Sequence, residues 1–400
     1  MADEAQRVKV LSVLVGTAAR TGGPPAFVGQ SRLELERGGD EMVVLSTDLA
    51  LAPTGWAQSR QRRIVYDERH ASLQDGSVRV FAARFPRRLA FSPELYRAAC
   101  QLASTSDVVH LHNLWQFPQY AGYRAARRAG APYIVSPHGA LDPYLRRHGR
   151  GRKWLSTLLY QERLLRDAAL IHVTTGAEAE LIADVVPGVP RVVVPCGIYV
   201  REFRDLPPRQ EFRRRYLDGY DGPVILFLGR ITYKKGLDRL VRAFAHARHQ
   251  GECRLVVVGP DDEGLRRGLE RLAVELGVAR DIDFLGPLFG EDRRAALASA
   301  DIWALSSYTE NFGIAVIEAM AAGCTVCISP EVNVAPDIAA AEAGVVAELE
   351  PQAFGEALAR LLADDTRRRQ LGSAARRFAD GYDWSAVRPR LLDMYRRAVA

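Results

Sequence analysis

The chain has 400 residues, of which 48% are hydrophobic and 26% are charged, and its formal net charge is +6. This length predicts two domains, and this composition is average for globular proteins, which excludes a largely disordered chain. No apolar run approaches the roughly 18 residues that a membrane-spanning helix needs, and the N-terminus lacks a signal-peptide pattern, so we expect a cytoplasmic protein.

Apolar, β-branched runs alternate with helix-period segments along the whole chain, which is the pattern of parallel α/β units. In the first half, strands are predicted at 8–15, 41–47, 78–83, 108–112, 132–136, 170–175 and 191–195. In the second half, they are predicted at 223–229, 253–259, 282–286, 301–306, 324–329 and 343–348. The segment 199–222 loses the strand pattern and carries Pro and Gly, which predicts a domain boundary.

The last segment, 384–399, is predicted to be an amphipathic helix with Pro389 early in it, where a missing N–H costs least. We therefore predict an α/β protein of two doubly wound, Rossmann-like domains with parallel sheets. The domains are expected to face each other across a cleft, with ligands at the carboxyl ends of the strands.

The first phosphate-binding candidate follows strand 8–15. Neither G-x-G-x-x-G after this strand nor G-x-x-x-x-G-K-[ST] anywhere is present. Instead the strand leads into "GTAARTGGPP", where the adjacent Gly22 and Gly23 let the backbone approach an anion at the start of the following helix. An ordinary Gly-Gly-Pro turn is the alternative.

A histidine-containing strand, "VVHLHNLW" (108–115), places His110 and His112 on one face. No third ligand at a metal-binding spacing can be identified, so no metal site is predicted. We interpret His112, Asn113 and Trp115 as lining of a ligand site, which in a group-transfer enzyme would be the acceptor side.

Positive charge is concentrated in the first half of the chain. Residues 1–200 hold 25 Lys and Arg against 18 Asp and Glu, a net +7, and five of these cations lie in "YLRRHGRGRKWLSTLL" (144–159). This stretch could bind a lipid diphosphate or an anionic membrane, and the basic half suits an acidic partner or a phosphorylated acceptor. Solvated basic faces of an arginine-rich chain are an equally good explanation.

The second phosphate-binding candidate follows strand 223–229, in "GRITYKKG". Arg230 and Lys235, flanked by glycines, suit a diphosphate, because Arg offers a fork of donors and Lys a point charge. Their position at a strand end favours this interpretation over a solvated loop.

Two acids bracket an apolar run in "TENFGIAVIEAMAAG" (309–323). The helix is predicted to start near 312–313 with Thr309 or Asn311 as its cap, so that Glu310 lies in the loop before it. Because the helix is apolar nearly all round, it should be buried, and Glu318 on it needs strong donors, which the hydroxyls of a ribose provide. An exposed position for Glu318 is the alternative. The helix N-terminus offers free N–H groups to a phosphate.

The five cysteines are odd in number and scattered, which argues against a disulfide framework. Cys324 and Cys327 form a C-x-x-C within a predicted strand, not at a helix N-terminus where a redox pair gains a low pKa. No second C-x-x-C completes a zinc site. We interpret the pair as small apolar residues of a buried strand.

Several motifs, in this order, resemble those of the retaining, nucleotide-sugar-dependent glycosyltransferases of family 4 (glycosyltransferase group 1), which have the GT-B fold. "TGGPP" resembles their N-terminal phosphate loop, "VSPHGALDPY" their active-site histidine segment, and "GRITYKKGLDRLVRAF" their diphosphate strand-loop-helix. "ENFGIAVIEAMAAG" resembles their E-x7-E motif, and "YDWSAVRPRLLDMY" the C-terminal helix that crosses back to the first domain. The resemblance covers nearly the whole chain. One departure is V-P-C-G-I-Y at 194–199, where the family often has V-P-N-G-[IV]-D, so no role is assigned there.

The resemblance implies an N-terminal acceptor-binding domain at 1–200, a C-terminal nucleotide-sugar-binding domain at 201–383, and a helix at 384–400 that packs back on the first domain. It implies that His138 and Glu310 contact the donor sugar at the reacting centre and that Glu318 holds the ribose; for His138 a satisfied loop histidine is the alternative. The other implied donor-binding residues are Gly22, Gly23, Arg230, Lys235, Asn311, Phe312, Gly313 and Ile314.

The activity implied is transfer of a sugar from a nucleoside-diphosphate sugar, such as a UDP- or GDP-sugar, to the hydroxyl of a saccharide, glycolipid or small-molecule acceptor, with retention of configuration. We expect a role in polysaccharide or glycolipid assembly, no cofactor or metal, no nucleic-acid partner, and a cytoplasmic location with peripheral contact to the anionic inner membrane face. The alternatives are glycosylation of a small natural product, a nucleotide-sugar epimerase or phosphorylase with the same fold, and a non-catalytic sugar-nucleotide-binding partner.

Overall fold

The chain forms two compact units in a computed structural model that describes residues 7–17, 23–49, 77–143 and 160–400. The first unit comprises the described residues up to Gly197 together with Val387–Ala400, and the second comprises Ile198–Ala386. The chain therefore leaves the first unit close to the predicted boundary at 200 and returns to it close to the predicted boundary at 383. Among the described residues, no helix is both long enough and apolar enough to span a bilayer.

Seven parallel strands form the sheet of the first unit, in the order β3-β2-β1-β4-β5-β6-β7. The strands are β1 Lys9–Gly16, β2 Glu41–Thr47, β3 Val78–Phe81, β4 Val108–His112, β5 Tyr133–Ser136, β6 Leu170–Val173 and β7 Arg191–Val193. The helices described between them are α1 Gly23–Arg37, α2 Pro93–Ala103, α3 Phe117–Ala129, α4 Glu162–Arg166 and α5 Gly176–Leu181. Each strand predicted for this half is present, and the strand order changes direction between β1 and β4.

Six parallel strands form the sheet of the second unit, in the order β10-β9-β8-β11-β12-β13. The strands are β8 Val224–Leu228, β9 Arg254–Val258, β10 Ile282–Gly286, β11 Ile302–Leu305, β12 Thr325–Ile328 and β13 Val345–Val346. The helices are α6 Arg209–Tyr216, α7 Leu237–Arg248, α8 Arg266–Glu275, α9 Gly290–Ser299, α10 Ile314–Ala322, α11 Ala335–Ala340, α12 Pro351–Ala363, α13 Asp365–Asp380 and α14 Trp384–Val399. Here the order changes direction between β8 and β11, and ligands of such sheets bind beside that switch point.

The two faces of the first sheet differ in polarity. One face contributes Leu11, Val13 and Leu111 to an apolar core with residues of α2 and α3. Side chains alternate along a strand, so Ser12 and His110 point to the opposite face, and both are fully buried there. A buried polar stripe on one face of a parallel sheet is unusual, and it leads to the predicted site of this unit.

The last helix, α14, begins in the second unit and ends in the first. Pro389 is its sixth residue, so the prediction that this proline sits where a missing N–H costs least is wrong. Beyond the first turn, a proline removes an intrahelical hydrogen bond, here the one that the carbonyl of Ser385 would accept.

The C-x-x-C cysteines lie at the start of β12, with Cys324 just before the strand and Cys327 within it. Both are buried thiols, and burial raises the pKa of each to about 12. Neither is a thiolate at neutral pH, so their interpretation as small residues of a buried strand is confirmed.

Candidate active site

Loops that follow four strands of the second sheet meet at one edge, beside the switch point between β8 and β11. The amide of Ile231 donates to the carbonyl of Pro260 over 2.8 Å, which joins the loops after β8 and β9. The amide of Tyr308 donates to the carbonyl of Lys234 over 2.8 Å, which joins the loops after β8 and β11. The amide of Glu310 donates to the carbonyl of Glu331 over 3.0 Å, which adds the loop after β12. The predicted donor-binding residues of this unit lie on these loops or just beyond them.

Glycine is required where these loops approach closely. Gly236, between Lys235 and α7, has a φ of 60°, and a Cβ there would lie 1.9 Å from the carbonyl oxygen of Ser306. A residue with a side chain would push the loop after β8 away from the loop after β11. This packing is what carries Lys235 towards Glu310.

Both predicted diphosphate-binding cations contact carboxylates. Arg230 Nη1 lies 3.3 Å from Asp262 Oδ2, and Lys235 forms a salt bridge with Glu310 that is largely buried. The structure therefore brings together Lys235 and Glu310, which the sequence analysis assigned to the diphosphate and to the sugar of the donor, respectively. An anion that binds these two cations must share them with Asp262 and Glu310 or displace those acids.

The helix that carries the second acid, α10, begins through Gly313 in a left-handed conformation, with a φ of 79°. The cap position is held by Gly313, which has no side chain, so neither Thr309 nor Asn311 occupies the cap position predicted for them. The amides of Ile314 and Ala315 come too early in the helix to have an intrahelical acceptor, whereas the amide of Val316 donates to the carbonyl of Gly313 over 2.8 Å. They give the helix start the anion-binding character that the sequence predicted.

Glu318 lies on a largely buried helix, as predicted, and it has a donor within the protein that the sequence did not predict. Six of the nine residues of α10 are buried, as predicted, and Glu318 is largely shielded from solvent. Its carboxylate forms a salt bridge with Arg293 of α9, however, so a ribose is not needed to supply its donors. The sequence reasoning missed Arg293, because nothing in a single sequence pairs two residues 25 positions apart on different helices. Phe312 is also buried, so only its backbone is available to a ligand.

Left-handed backbone conformations cluster at the predicted site of the first unit. Asn113 and Trp115, directly after β4, have φ values of 66° and 73°, and His138, after β5, has a φ of 49°. Such conformations are uncommon for residues other than glycine, and they gather at functional sites. Gly23 is the exposed first residue of α1. Gly22 and the basic stretch 144–159 lie outside the described residues.

His138 contacts a second histidine of the predicted site. His138 Nε2 lies 3.0 Å from His112 Nδ1, and the two rings stack with their centroids 5.3 Å apart. Burial lowers the pKa of His112 well below its usual value, and burial together with repulsion from His172 lowers the pKa of His138 to about 3. Both rings are therefore neutral at pH 7, so one donates and the other accepts.

A buried hydrogen-bond chain crosses the same face of the sheet, from Tyr395 of α14 through His110, Ser136 and His172 to the carbonyl of Val194. The four distances are 2.9, 2.6, 2.6 and 2.8 Å. A carbonyl can only accept, so His172 donates from Nε2 and accepts from Ser136 at Nδ1. The serine then accepts from His110, which accepts from Tyr395, so every hydrogen in the chain points towards Val194.

From the sequence, His110 was considered only as a metal ligand, and the other members of this hydrogen-bond chain were not predicted. Burial is the main cause that lowers the pKa of His110 well below its usual value and the pKa of His172 to about 4. Among the described residues, no group of three or more His, Cys, Asp or Glu is arranged to hold a metal ion. The ring nitrogens of His110 and His172 all form hydrogen bonds within the protein.

Comparison with known proteins gives two family matches. The model described as "Glycosyl transferase 4-like domain" matches residues 22–197, and the model described as "Glycosyl transferases group 1" matches residues 208–378. A D-inositol 3-phosphate glycosyltransferase of Salinispora tropica is 32% identical over 330 residues, which cover 78% of this chain and 68% of the relative. One of Mycobacteroides abscessus is 31% identical, with 99% of this chain and 90% of the relative covered.

Solved structures with similar folds share less sequence. A sucrose-phosphate synthase of Thermosynechococcus elongatus has a TM-score of 0.76 at 20% identity, over 98% of this chain and 99% of that chain. Anabaena Alr3699/HepE, solved in complex with UDP and glucose, has a TM-score of 0.76 at 18% identity, over 97% of this chain and 99% of that chain. At these identities the similarity shows the fold alone.

Proposed function

The chain belongs to the glycosyl transferases of group 1 and has the GT-B fold, and on this premise we propose that it moves a glycosyl unit from a nucleoside-diphosphate sugar to an acceptor hydroxyl with retention of anomeric configuration. Membership confirms the resemblance predicted from the motifs, and the two parallel-sheet units confirm the predicted fold class. The donor, the stereochemistry and the acceptor are the proposed parts.

The observation that carries the proposed donor is the meeting of two cations and a helix start that follows a glycine, at one edge of the second sheet. Arg230 and Lys235 follow β8, and α10 begins at Ile314 after β11, so all three flank the switch point. Cations and free N–H groups together suit the two phosphates of a nucleoside diphosphate. The UDP complex of the Anabaena protein is further support, since that protein has a similar fold.

The Lys235–Glu310 salt bridge suggests how donor binding prepares the site. In the proposed reaction the diphosphate leaves with growing negative charge, and Lys235, Arg230 and the α10 amides stabilise that charge. A diphosphate that attracts Lys235 weakens its bond to Glu310. The Glu310 carboxylate is then available to accept hydrogen bonds from the hydroxyls of the donor sugar.

Retention follows, in this proposal, from attack on the face from which the diphosphate leaves. A phosphate oxygen of the donor takes the proton of the acceptor hydroxyl, so the protein need not supply a general base. The neutral His138 fits a role as a hydrogen-bonding partner of the sugar, because burial holds its pKa far below 7 and it carries no charge there.

For the acceptor, we propose a phosphorylated, hydroxyl-rich molecule. Relatives at 31–32% identity are named D-inositol 3-phosphate glycosyltransferase, which makes that compound the first to test. The net charge of +7 in residues 1–200 also suits a phosphate-bearing acceptor. Saccharides and glycolipids of polysaccharide or glycolipid assembly, and small natural products, form the comparison set.

A thermal-shift screen against nucleoside diphosphates and their sugars tests the donor. A ligand at about 100 times its Kd stabilises the folded state by about 2.7 kcal/mol. Lys235→Ala should lose at least about half of this stabilisation, whereas Lys234→Ala, which removes the exposed neighbouring cation, should keep it. If no nucleoside diphosphate stabilises the wild type, or if both variants respond alike, the donor proposal is wrong.

Transfer assays with the stabilising donors then test the reaction. NMR of the product should show the anomeric configuration of the donor, and inversion would contradict the proposed stereochemistry. Conversion of the donor to another nucleotide sugar without an acceptor product would support the epimerase alternative.

A further inference from the structure

A buried acid, Glu178, contacts the turn that carries His138. Glu178 is the third residue of α5, and only 1% of its surface is exposed. One carboxylate oxygen accepts from the amide of Gly139 over 3.0 Å. The other accepts from the amide and the hydroxyl of Thr174 over 2.8 and 2.9 Å. The carboxylate thus joins the loop after β5 to the end of β6.

The turn itself has an unfavourable conformation. The amide of Ala140 donates to the carbonyl of Pro137 over 3.0 Å, which closes a β-turn with His138 and Gly139 at its centre. Both central residues have positive φ, 49° and 75°, as in a type I′ turn. For a residue such as histidine, this conformation is unfavourable and persists only where the surroundings enforce it. The bond from Gly139 to Glu178 is one such constraint.

An ordinary capping role does not account for Glu178. Thr175 caps α5, and its hydroxyl accepts from the amide of Glu178 over 3.0 Å, which is half of a capping box. In the full motif, the glutamate accepts from the amide of the capping residue. Here the described bonds of its carboxylate go instead to Thr174 and to Gly139 of another loop.

We infer that Glu178 is a positioning residue, which holds the His138–Gly139 turn so that the imidazole of His138 stays against His112. This inference rests on the proposed function, in which His138 contacts the donor sugar. Without the bond to Gly139, the turn can return to negative φ, and the ring then leaves its stacked partner. Glu178 therefore acts on transfer through His138, whereas the proposed diphosphate-binding residues lie in the other unit.

The test compares Glu178→Gln with Thr174→Val in the full-length protein. Glutamine keeps the shape of Glu178, but its NH₂ group cannot accept, so it loses the bond from Gly139 or those from Thr174. Thr174→Val removes one donor to the same carboxylate and leaves the bond from Gly139 in place. It is therefore the matched control for loss of a buried hydrogen bond that spares the turn.

Two measurements are made on both variants. An NMR titration of labelled histidine should show the pKa of His138 rising by about one unit or more in Glu178→Gln, because the ring becomes better solvated. Turnover should fall by about a hundredfold, the scale of a 1 Å displacement, with donor affinity within about twofold. In Thr174→Val, the titration of His138 and the turnover should both match the wild type.

A folded Glu178→Gln protein whose Gly139 amide resonance shows that its bond is lost, but with wild-type titration of His138 or wild-type turnover, would overturn the inference. If Glu178→Gln does not fold or keeps the bond from Gly139, Gly139→Ala strains the same turn through its positive φ and should produce the same shift, and a wild-type titration of His138 in that variant would overturn the inference. Failure of the proposed function would appear differently, as a wild-type protein that transfers no sugar. The titration would then still report whether Glu178 holds the turn.

Discussion

The first unit is expected to lose stability steeply between pH 7 and pH 5, because three of its fully buried histidines are neutral when folded. Burial lowers the pKa of His110 and His112 well below the usual value, and that of His172 to about 4. In the unfolded chain each has a pKa near 6.5. As the pH falls below about 6.5, the unfolded chain binds protons that the folded unit does not, so the stability present above that pH is lost.

The size of the effect follows from the same linkage. A histidine that stays neutral in the folded state lowers the free energy of unfolding by roughly 1.4 kcal/mol for each pH unit below 6.5. Between pH 6.5 and pH 5 that is about 2 kcal/mol for one histidine and about 6 kcal/mol for three, an upper figure. Domains are stable by only about 5–15 kcal/mol, so a loss of this size is a large part of the stability of the first unit.

Urea unfolding at pH 7, 6 and 5, monitored by hydrogen-exchange mass spectrometry, measures the free energy of unfolding of each unit. Peptides from β4, β5 and β6 report on the first unit, and peptides from β8 and β11 serve as the internal control. His172→Gln is the matched variant, because its amide can donate to Val194 and accept from Ser136 but cannot bind a proton. It should recover about 2 kcal/mol of the loss at pH 5. Equal losses in both units, or a His172→Gln protein as acid-sensitive as the wild type, would refute the reasoning.

Three further predictions concern the proposed site. Arg230→Ala and Lys235→Ala should each weaken binding of a nucleoside diphosphate by about 1.5–3 kcal/mol, measured by calorimetry; unchanged affinity in both would remove them from the site. Glu310→Gln should chiefly lower kcat, and Glu318→Gln should chiefly weaken binding of the free nucleoside diphosphate. Equal losses of diphosphate affinity in the two variants would show that the two roles are wrongly assigned. His138→Ala should leave diphosphate affinity nearly intact and lower turnover by about two to three orders of magnitude, and near-wild-type turnover would contradict its role.

Most of the fold could be predicted because parallel strands are buried on both faces and their apolar runs are continuous. All five residues of β8, and all five of β4, are buried. The apolar residues of β4 revealed the strand even though two of its five residues are histidines. The start of α10 was predicted closely, but its cap residues and the position of Pro389 were predicted wrongly, since local preferences for caps and first turns give way to how a helix is entered and packed.

Only part of the candidate site could be predicted from the sequence. Arg230, Lys235, Glu310 and Glu318 follow strands in motifs, so their approximate positions could be predicted from strand ends. Their carboxylate and cation partners could not, because contacts between loops and helices far apart in the chain leave no local pattern. Glu178 is different: the spacing Thr175-x-x-Glu178 is a capping-box pattern, and it could have drawn attention to this acid.

The bond between Tyr395 and His110 has a consequence for biosynthesis. The two residues are 285 positions apart, because the end of α14 belongs to the first unit although it is translated after the whole of the second. At about 5–20 residues per second, a ribosome needs roughly 15–60 seconds to synthesise the intervening chain. During that time the lone pair of His110 that accepts from Tyr395 lacks its partner. The first unit therefore cannot complete its packing around His110 until this part of α14 has been synthesised.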